Sequence, residues 1–211
     1  MSTPTAATVA HHLLEISAVK LSPEKPFTWA SGWKSPVYCD NRLTLSHPAI
    51  RSYIKQQFSA LIEQKFPEAT AIAGVATAGL PQAALVADAL EMPMLYVRSK
   101  PKGHGRENLI EGEAPKNSKI VLVEDLISTG GSSIKAAQAL QEAGFEVLGL
   151  IAVFTYGFPV AEQNFEAAGI PFATLSHYEA LLEVAAEKKY IGQDQVAMLQ
   201  QWRKNPAEWG Q

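Results

Sequence analysis

The sequence predicts an α/β fold: a central, mostly parallel sheet flanked by helices, with a helical and loop element at the N-terminus. Three observations carry that expectation. From Ala71 onward, short apolar runs recur at "AIAGVA", "MPMLYVR", "KIVLVED", "EVLGLIAVF" and "FATLS". Between them lie segments of helical spacing near 79–91, 131–144 and 158–168, and such alternation builds parallel sheets covered on both faces. Two strand-to-helix junctions, "GVATAGLP" and "LISTGGSS", are made of small residues, and they fall where open α/β sheets bind ligands.

In chain order, "ATVAHHLLEISAV" has helical apolar spacing. "SHPAIRSYIKQQFSALIEQKF" repeats it, with Ile50, Ile54, Phe58, Leu61 and Ile62 on one face and Ser46 as its expected N-cap. Between the two, "KPFTWASGWKSPVYCDNR" reads as loop and short strands. The stretch 178–204 reads as two helices broken at Gly192. With no linker, repeat or low-complexity segment, the expectation is one domain over 1–211. It comprises an N-terminal element at about 1–45, an α/β core at about 46–177 and C-terminal helices at about 178–205.

Of the 211 residues 47% are hydrophobic and 18% charged, as in an ordinary globular protein. A net charge of −3 gives no general attraction to nucleic acid or anionic membranes, so any basic cluster is a local feature. The single cysteine, Cys39, excludes an internal disulfide and a cysteine-based zinc site. "MSTPTAATVAHHLLEIS" lacks a basic segment followed by an apolar one, and no apolar run approaches the ~20 residues of a membrane span. A cytoplasmic protein is expected.

"IVLVEDLISTGGSS" (120–133) poses the chemical question. Glu124 and Asp125 repel phosphate, whereas the following Ser128, Thr129, Gly130, Gly131, Ser132 and Ser133 attract it at a helix start. A ligand carrying both a phosphate and neighbouring hydroxyls resolves the conflict, because two ionised carboxylates accept hydrogen bonds from the vicinal hydroxyls of a ribose. Taken alone, Gly-Gly-Ser is equally an ordinary turn with a cap. A Walker A loop needs a lysine after its last glycine, and neither junction has one; no G-x-G-x-x-G follows a strand.

The full motif resembles the phosphoribosyl-pyrophosphate motif of type I phosphoribosyltransferases. "FTWASGWKSPVYCDNR" and "VRSKPKGHG" resemble the orotate phosphoribosyltransferase family in particular, and the similarity runs from the N-terminal element to about residue 165. The resemblance implies the type I phosphoribosyltransferase fold with an N-terminal hood. It implies transfer of the 5-phosphoribosyl group from 5-phosphoribosyl 1-diphosphate to orotate, giving orotidine 5′-monophosphate in pyrimidine synthesis. Mg²⁺ is the implied cofactor, held mainly through the substrate with no direct protein ligand. Phosphoribosyl pyrophosphate would meet Glu124, Asp125, Leu126, Ile127, Ser128, Thr129, Gly130, Gly131 and Ser132. Ala76, Thr77, Ala78 and Gly79 would form the pyrophosphate loop, with a cis peptide between Ala76 and Thr77. Arg98, Lys102 and His104, in the basic stretch "RSKPKGHGRENLIEGE", would bind the pyrophosphate of a neighbouring subunit in a homodimer. Lys102, His104 and Asp125 are the implied catalytic residues.

Phe27, Trp29, Trp33 and Tyr38 lie close in sequence to Lys34 and Arg42. Aromatic faces stack on a flat pyrimidine and cations hold its carboxylate, which makes Tyr38, Lys34 and, by resemblance, Ser128 the orotate-binding candidates. A small satellite core accounts equally well for any single aromatic among them. Cys39 has no activating pattern around it and reads as a packed small residue. The chain departs from the family at Ala30, Ala78 and Ser99, where many members carry lysine, and at Tyr156, near which some carry arginine; Lys34 and Lys100 are the candidates to compensate. A purine-specific relative would share every phosphate contact but not "FTWASGWKSP". A regulator sensing the same ligand is disfavoured by the lack of a winged-helix segment and of basic excess.

Overall fold

A computed structural model of the protein describes residues 2–29, 32–100 and 109–209. The chain opens with α1 (Pro4–Glu15), where the Ala6 N–H donates to the Thr3 hydroxyl at 3.2 Å and Pro4 takes the first helical turn. Four short strands follow: β1 (Val19–Leu21), β2 (Phe27–Thr28), β3 (Lys34–Ser35) and β4 (Val37–Cys39), paired antiparallel as β1–β4 and β2–β3. A 3-10 turn over Asn41–Ser46 leads into α2 (Pro48–Lys65). Ser46 does not cap that helix, as its sequence suggests, but closes the 3-10 turn. Pro48, whose fixed φ starts a helix, makes His47 the cap residue, without a side-chain bond.

The α/β body comprises β5 (Ala71–Val75), α3 (Gly79–Ala89), β6 (Met94–Val97), β7 (Ile110–Glu111), β8 (Lys119–Ile127), α4 (Gly131–Glu142), β9 (Glu146–Thr155), α5 (Pro159–Ala168) and β10 (Phe172–His177). It is closed by α6 (Tyr178–Glu187) and α7 (Gln193–Lys204), with Gly192, the expected break, as the N-cap of the latter. The sheet order is β10-β9-β8-β5-β6-β7, parallel except for β7, which runs antiparallel to β6.

Alternation along β8 feeds two cores. Val121 and Val123 pack with α1, α2, α3 and α6, while Ile120 and Leu122 pack with α4 and α5. With both faces covered, the strand reads as an unbroken apolar run. "KIVLVED" predicts a strand that ends at the acidic pair, but β8 continues two residues further. The reason is β9, which keeps pairing with it, Leu126 opposite Phe154 and Ile127 opposite Thr155. β5, in contrast, stops pairing at Gly74–Val123. From Glu124 onward β8 therefore has a sheet neighbour on one side only. That notch, at the carboxyl ends of the strands, receives the site. No helix among the described residues is long and apolar enough to cross a membrane.

Candidate active site

Gly79 closes the notch from the β5 side. A Cβ there would sit 2.5 Å from the Val123 carbonyl oxygen and 3.1 Å from the Glu124 Cα, so only glycine lets α3 begin directly against β8. The loop Ala76–Ala78 before it carries the expected cis peptide between Ala76 and Thr77, and the Ala76 N–H donates to the Val97 carbonyl at 2.9 Å. The loop that the resemblance assigns to pyrophosphate thus lies beside the acidic pair.

On the other side, β8 runs into Ser128–Gly130 and α4. Gly130 adopts φ +81°, and a Cβ on it would lie 2.7 Å from the Phe165 ring. Both the left-handed backbone and the close approach demand glycine. Among the described residues, no hydrogen-bond acceptor meets the backbone N–H groups of Ser128, Thr129, Gly130, Gly131 or Ser132. A row of free donors at a helix start is an anion site by construction.

Glu124 is 6% exposed, and its two oxygens accept from the Asp125 N–H (3.0 Å) and the Ser133 hydroxyl (3.3 Å). Burial, and then the neighbouring Asp125 charge, push its carboxyl up from an ordinary 4.5 to about 9, although the hydrogen bonds from the Asp125 N–H and the Ser133 hydroxyl pull the other way. Asp125 is raised too, chiefly by burial, against the opposing effects of nearby hydrogen bonds and the Arg42 charge. The sequence suggests two ionised carboxylates; in this fold burial and the neighbouring charge raise both, Glu124 to about 9, and so favour a proton on the pair. Arg42 itself grips Asp40 with two bonds of 2.7 and 2.9 Å.

A pocket of about 270 Å³ opens between the hood and β8, lined by Thr28, Trp29, Tyr38, Cys39, Leu126, Ser128 and Tyr156. Tyr38 and Ser128 are there as expected. Lys34 is not in the lining, but its Nζ donates to the Thr28 hydroxyl at 2.8 Å, which places the ammonium at the rim. The Cys39 thiol donates to Asn41 Oδ1 at 3.3 Å and is pushed well up by burial, as befits a packed residue rather than a nucleophile. Trp202 of α7, which sequence reasoning does not single out, packs edge-on against Trp29 and Tyr156 with ring centroids 5.8 and 5.7 Å apart. The C-terminal helix therefore backs two of the pocket's aromatic residues.

A second cleft of about 430 Å³ brings Ala76 and Arg98 together with Gly131 and Ser132, and adds Lys135, another residue not foreseen. Lys135 lies one turn beyond Gly131 on the same helix, so its i+4 spacing was the available signal. Arg98 is partly engaged by Glu111 at 3.4 Å. Lys102 and His104, like Ala30, lie outside the described residues. A further hollow of about 570 Å³ is lined by Lys65, Phe66, Leu148 and Phe172 at the opposite ends of the strands, and none of the predicted residues lines it.

The raised Glu124 pKa has a consequence for stability. Because the folded value exceeds the unfolded one, its contribution is complete below about pH 4.5 and is lost as pH climbs through about 9. Thermal midpoints of the ligand-free protein, read from about pH 5 to about pH 9, should therefore fall more steeply for wild type than for Glu124→Gln. Parallel curves would show that Glu124 is an ordinary carboxylate.

Comparison with known proteins agrees with this geometry. The phosphoribosyl transferase domain model matches residues 44–167. An orotate phosphoribosyltransferase of Cytophaga hutchinsonii is 59% identical over 201 residues, covering 95% of this chain and 96% of that protein. The crystal structure of orotate phosphoribosyltransferase from Aeropyrum pernix superposes with a TM-score of 0.76 at 29% identity, over 87% of this chain and 99% of that one. Leishmania donovani UMP synthase gives a TM-score of 0.78 at 26% identity, over 94% of this chain and 42% of that longer one. A hood, an acidic pair beside a cradle of free N–H groups and a small-residue loop with a cis peptide are thus found in a chain that belongs to the orotate phosphoribosyltransferase family.

Proposed function

We propose that the protein transfers the 5-phosphoribosyl group of 5-phosphoribosyl 1-diphosphate to orotate, giving orotidine 5′-monophosphate and diphosphate in pyrimidine nucleotide synthesis. One observation carries the reading: Ser128 belongs both to the row of free N–H donors and to the wall of the aromatic pocket. A phosphate in the cradle and a flat base in the pocket would thus be neighbours, with Asp125 between them to accept from the ribose hydroxyls.

In that arrangement the bond from the ribose anomeric carbon to diphosphate breaks as orotate N1 attacks from the opposite face. Asp125 orients the sugar and its charge favours the developing cation. Trp29, Tyr38 and Tyr156 flank the base, and Lys34 at the rim faces its carboxylate. Arg98 and Lys135, with Lys102 and His104 by resemblance, supply cations for the departing diphosphate. The acidic donor set at the notch is the Glu124–Asp125 pair. This fits Mg²⁺, which commonly binds through one or two carboxylates and substrate phosphates. When bound, it would be held mainly by substrate oxygens near Asp125 and would neutralise diphosphate charge. We place the enzyme in the cytoplasm as a homodimer in which the basic loop of one subunit completes the site of the other.

Orotate consumption followed by absorbance, with and without chelator and beside uracil, hypoxanthine and adenine, tests the reaction. Loss of orotate that stops with chelator is expected, and turnover of adenine in its place would overturn the reading. Asp125→Asn should lower kcat/KM at least roughly tenfold, about 1.4 kcal/mol of transition-state stabilisation, while unchanged kinetics would make Asp125 structural.

Sharing between subunits has its own test, in which Lys102→Ala and Asp125→Asn chains are unfolded and refolded together. Random pairing makes about half the dimers mixed, each with one site intact, so about a quarter of all sites should recover. Tagged mixed dimers with no activity above either variant alone would exclude a loop acting across the interface.

A further inference from the structure

Two side-chain amides from outside the ribose-phosphate motif end on its backbone carbonyls. Asn41, at the start of the 3-10 turn and 1% exposed, donates Nδ2 to the Asp125 carbonyl at 2.6 Å. Asn164, on α5, donates Nδ2 to the Thr129 carbonyl at 2.9 Å. The two contacts bracket the segment Leu126–Ser128, which links the carboxylate pair to the phosphate cradle.

The physics of the cradle explains why such contacts matter. An anion site made of backbone requires N–H groups facing inward and carbonyl oxygens kept away, since a carbonyl beside phosphate repels it. Strand pairing cannot supply that control here. β5 stops at Val123, and β8 itself ends at Ile127, so neither carbonyl has a strand to bind it on that side. A buried carbonyl without a donor is costly, and the loop would turn to find one. A neutral amide satisfies the carbonyl and adds no charge to compete with the ligand.

Asn41 has a second connection. Its Oδ1 accepts from the Cys39 thiol, which lines the base pocket, and its own carbonyl accepts from the Thr44 hydroxyl at 2.6 Å. Thr44 in turn accepts from Gln82 of α3 at 3.3 Å, in the helix that starts at the pyrophosphate loop. Asn41 therefore joins the base pocket, the acidic strand and α3, whereas Asn164 holds the phosphate end alone.

We propose that Asn41 and Asn164 are positioning residues for phosphoribosyl transfer: neither touches substrate, and each fixes one end of the backbone segment that does. The inference rests on the phosphoribosyl pyrophosphate reading of the cradle. The two residues should differ in kinetic signature. Asn164→Ala, and the near-isosteric Asn164→Asp that loses the donor, should raise the KM for phosphoribosyl pyrophosphate at least about tenfold. Both should leave the KM for orotate within about twofold. Asn41→Ala should raise both KM values and lower kcat, because it also frees Cys39; Asn41→Ser, which keeps a hydroxyl donor, should recover part of the loss.

Steady-state kinetics in both substrates, with thermal midpoints recorded beside them, decide the matter. Asn164 sits half-buried on an outer helix, so its variants remain a fair test even where Asn41→Ala fails to fold. An unchanged KM for phosphoribosyl pyrophosphate in both Asn164 variants, against an active wild type, overturns the proposal. Equal rises in both KM values accompanied by a fall in midpoint overturn it too, as a general loss of structure. A wild type that does not turn over orotate instead defeats the reading beneath it.

Discussion

Two carboxylates are adjacent at the end of a buried strand, where burial disfavours the charge on each. Placing like charges together in a low-dielectric site is among the costlier arrangements a fold can hold, and it is relieved by keeping a proton or by gaining a cation. Glu124 takes the first course, pushed up to about 9, while Asp125 stays nearer the mouth of the notch and the Arg42 charge. Much of the local architecture serves that pair. Gly79 lets α3 approach it, Ser133 reaches back from α4 to it, and Asn41 holds its backbone. A ligand that brings ribose hydroxyls and a divalent cation to the pair would make its charge useful.

The site also depends on the two ends of the chain meeting. The hood supplies Trp29 and Tyr38, but Trp29 is held by Trp202 from α7 and by a hydrogen bond from its Nε1 to the Val37 carbonyl at 3.0 Å. Tyr156, at the end of β9, stacks on Phe158 and meets the same Trp202. The aromatic wall is thereby continuous from the hood, through the strand end, to the C-terminal helix. Packing of the hood and of the C-terminal helix is therefore one problem, since Trp29 and Trp202 meet although they lie more than 170 positions apart in the sequence.

The parts legible in the sequence are those with short-range signatures. The two-sided burial of β8 leaves an unbroken apolar run; glycines mark the two anion loops; Glu124 and Asp125 are adjacent. All of these are local and survive without a structure. The supporting residues are not local. Asn41 finds its partner 84 residues away and Asn164 finds its own 35 away, and an isolated asparagine carries no periodicity to betray either contact. Trp202 reads as one more apolar residue on a terminal helix. Ser46 shows the reverse error, where a good capping residue is passed over because a 3-10 turn and Pro48 together move the helix start. The raised Glu124 pKa is also out of reach of the sequence, since it follows from burial, and burial is a property of the whole fold.

The central claim is that this carboxylate pair is held in a strained electrostatic state by the fold. Its most direct measurement is a carbon-13 NMR titration of the side-chain carboxyls in the ligand-free protein, with the Glu124 signal assigned by its loss in Glu124→Gln. The account predicts a carboxyl that titrates far above the ordinary range, near about 9. A Glu124 signal that titrates near about 4.5, as a solvated glutamate does, would contradict it.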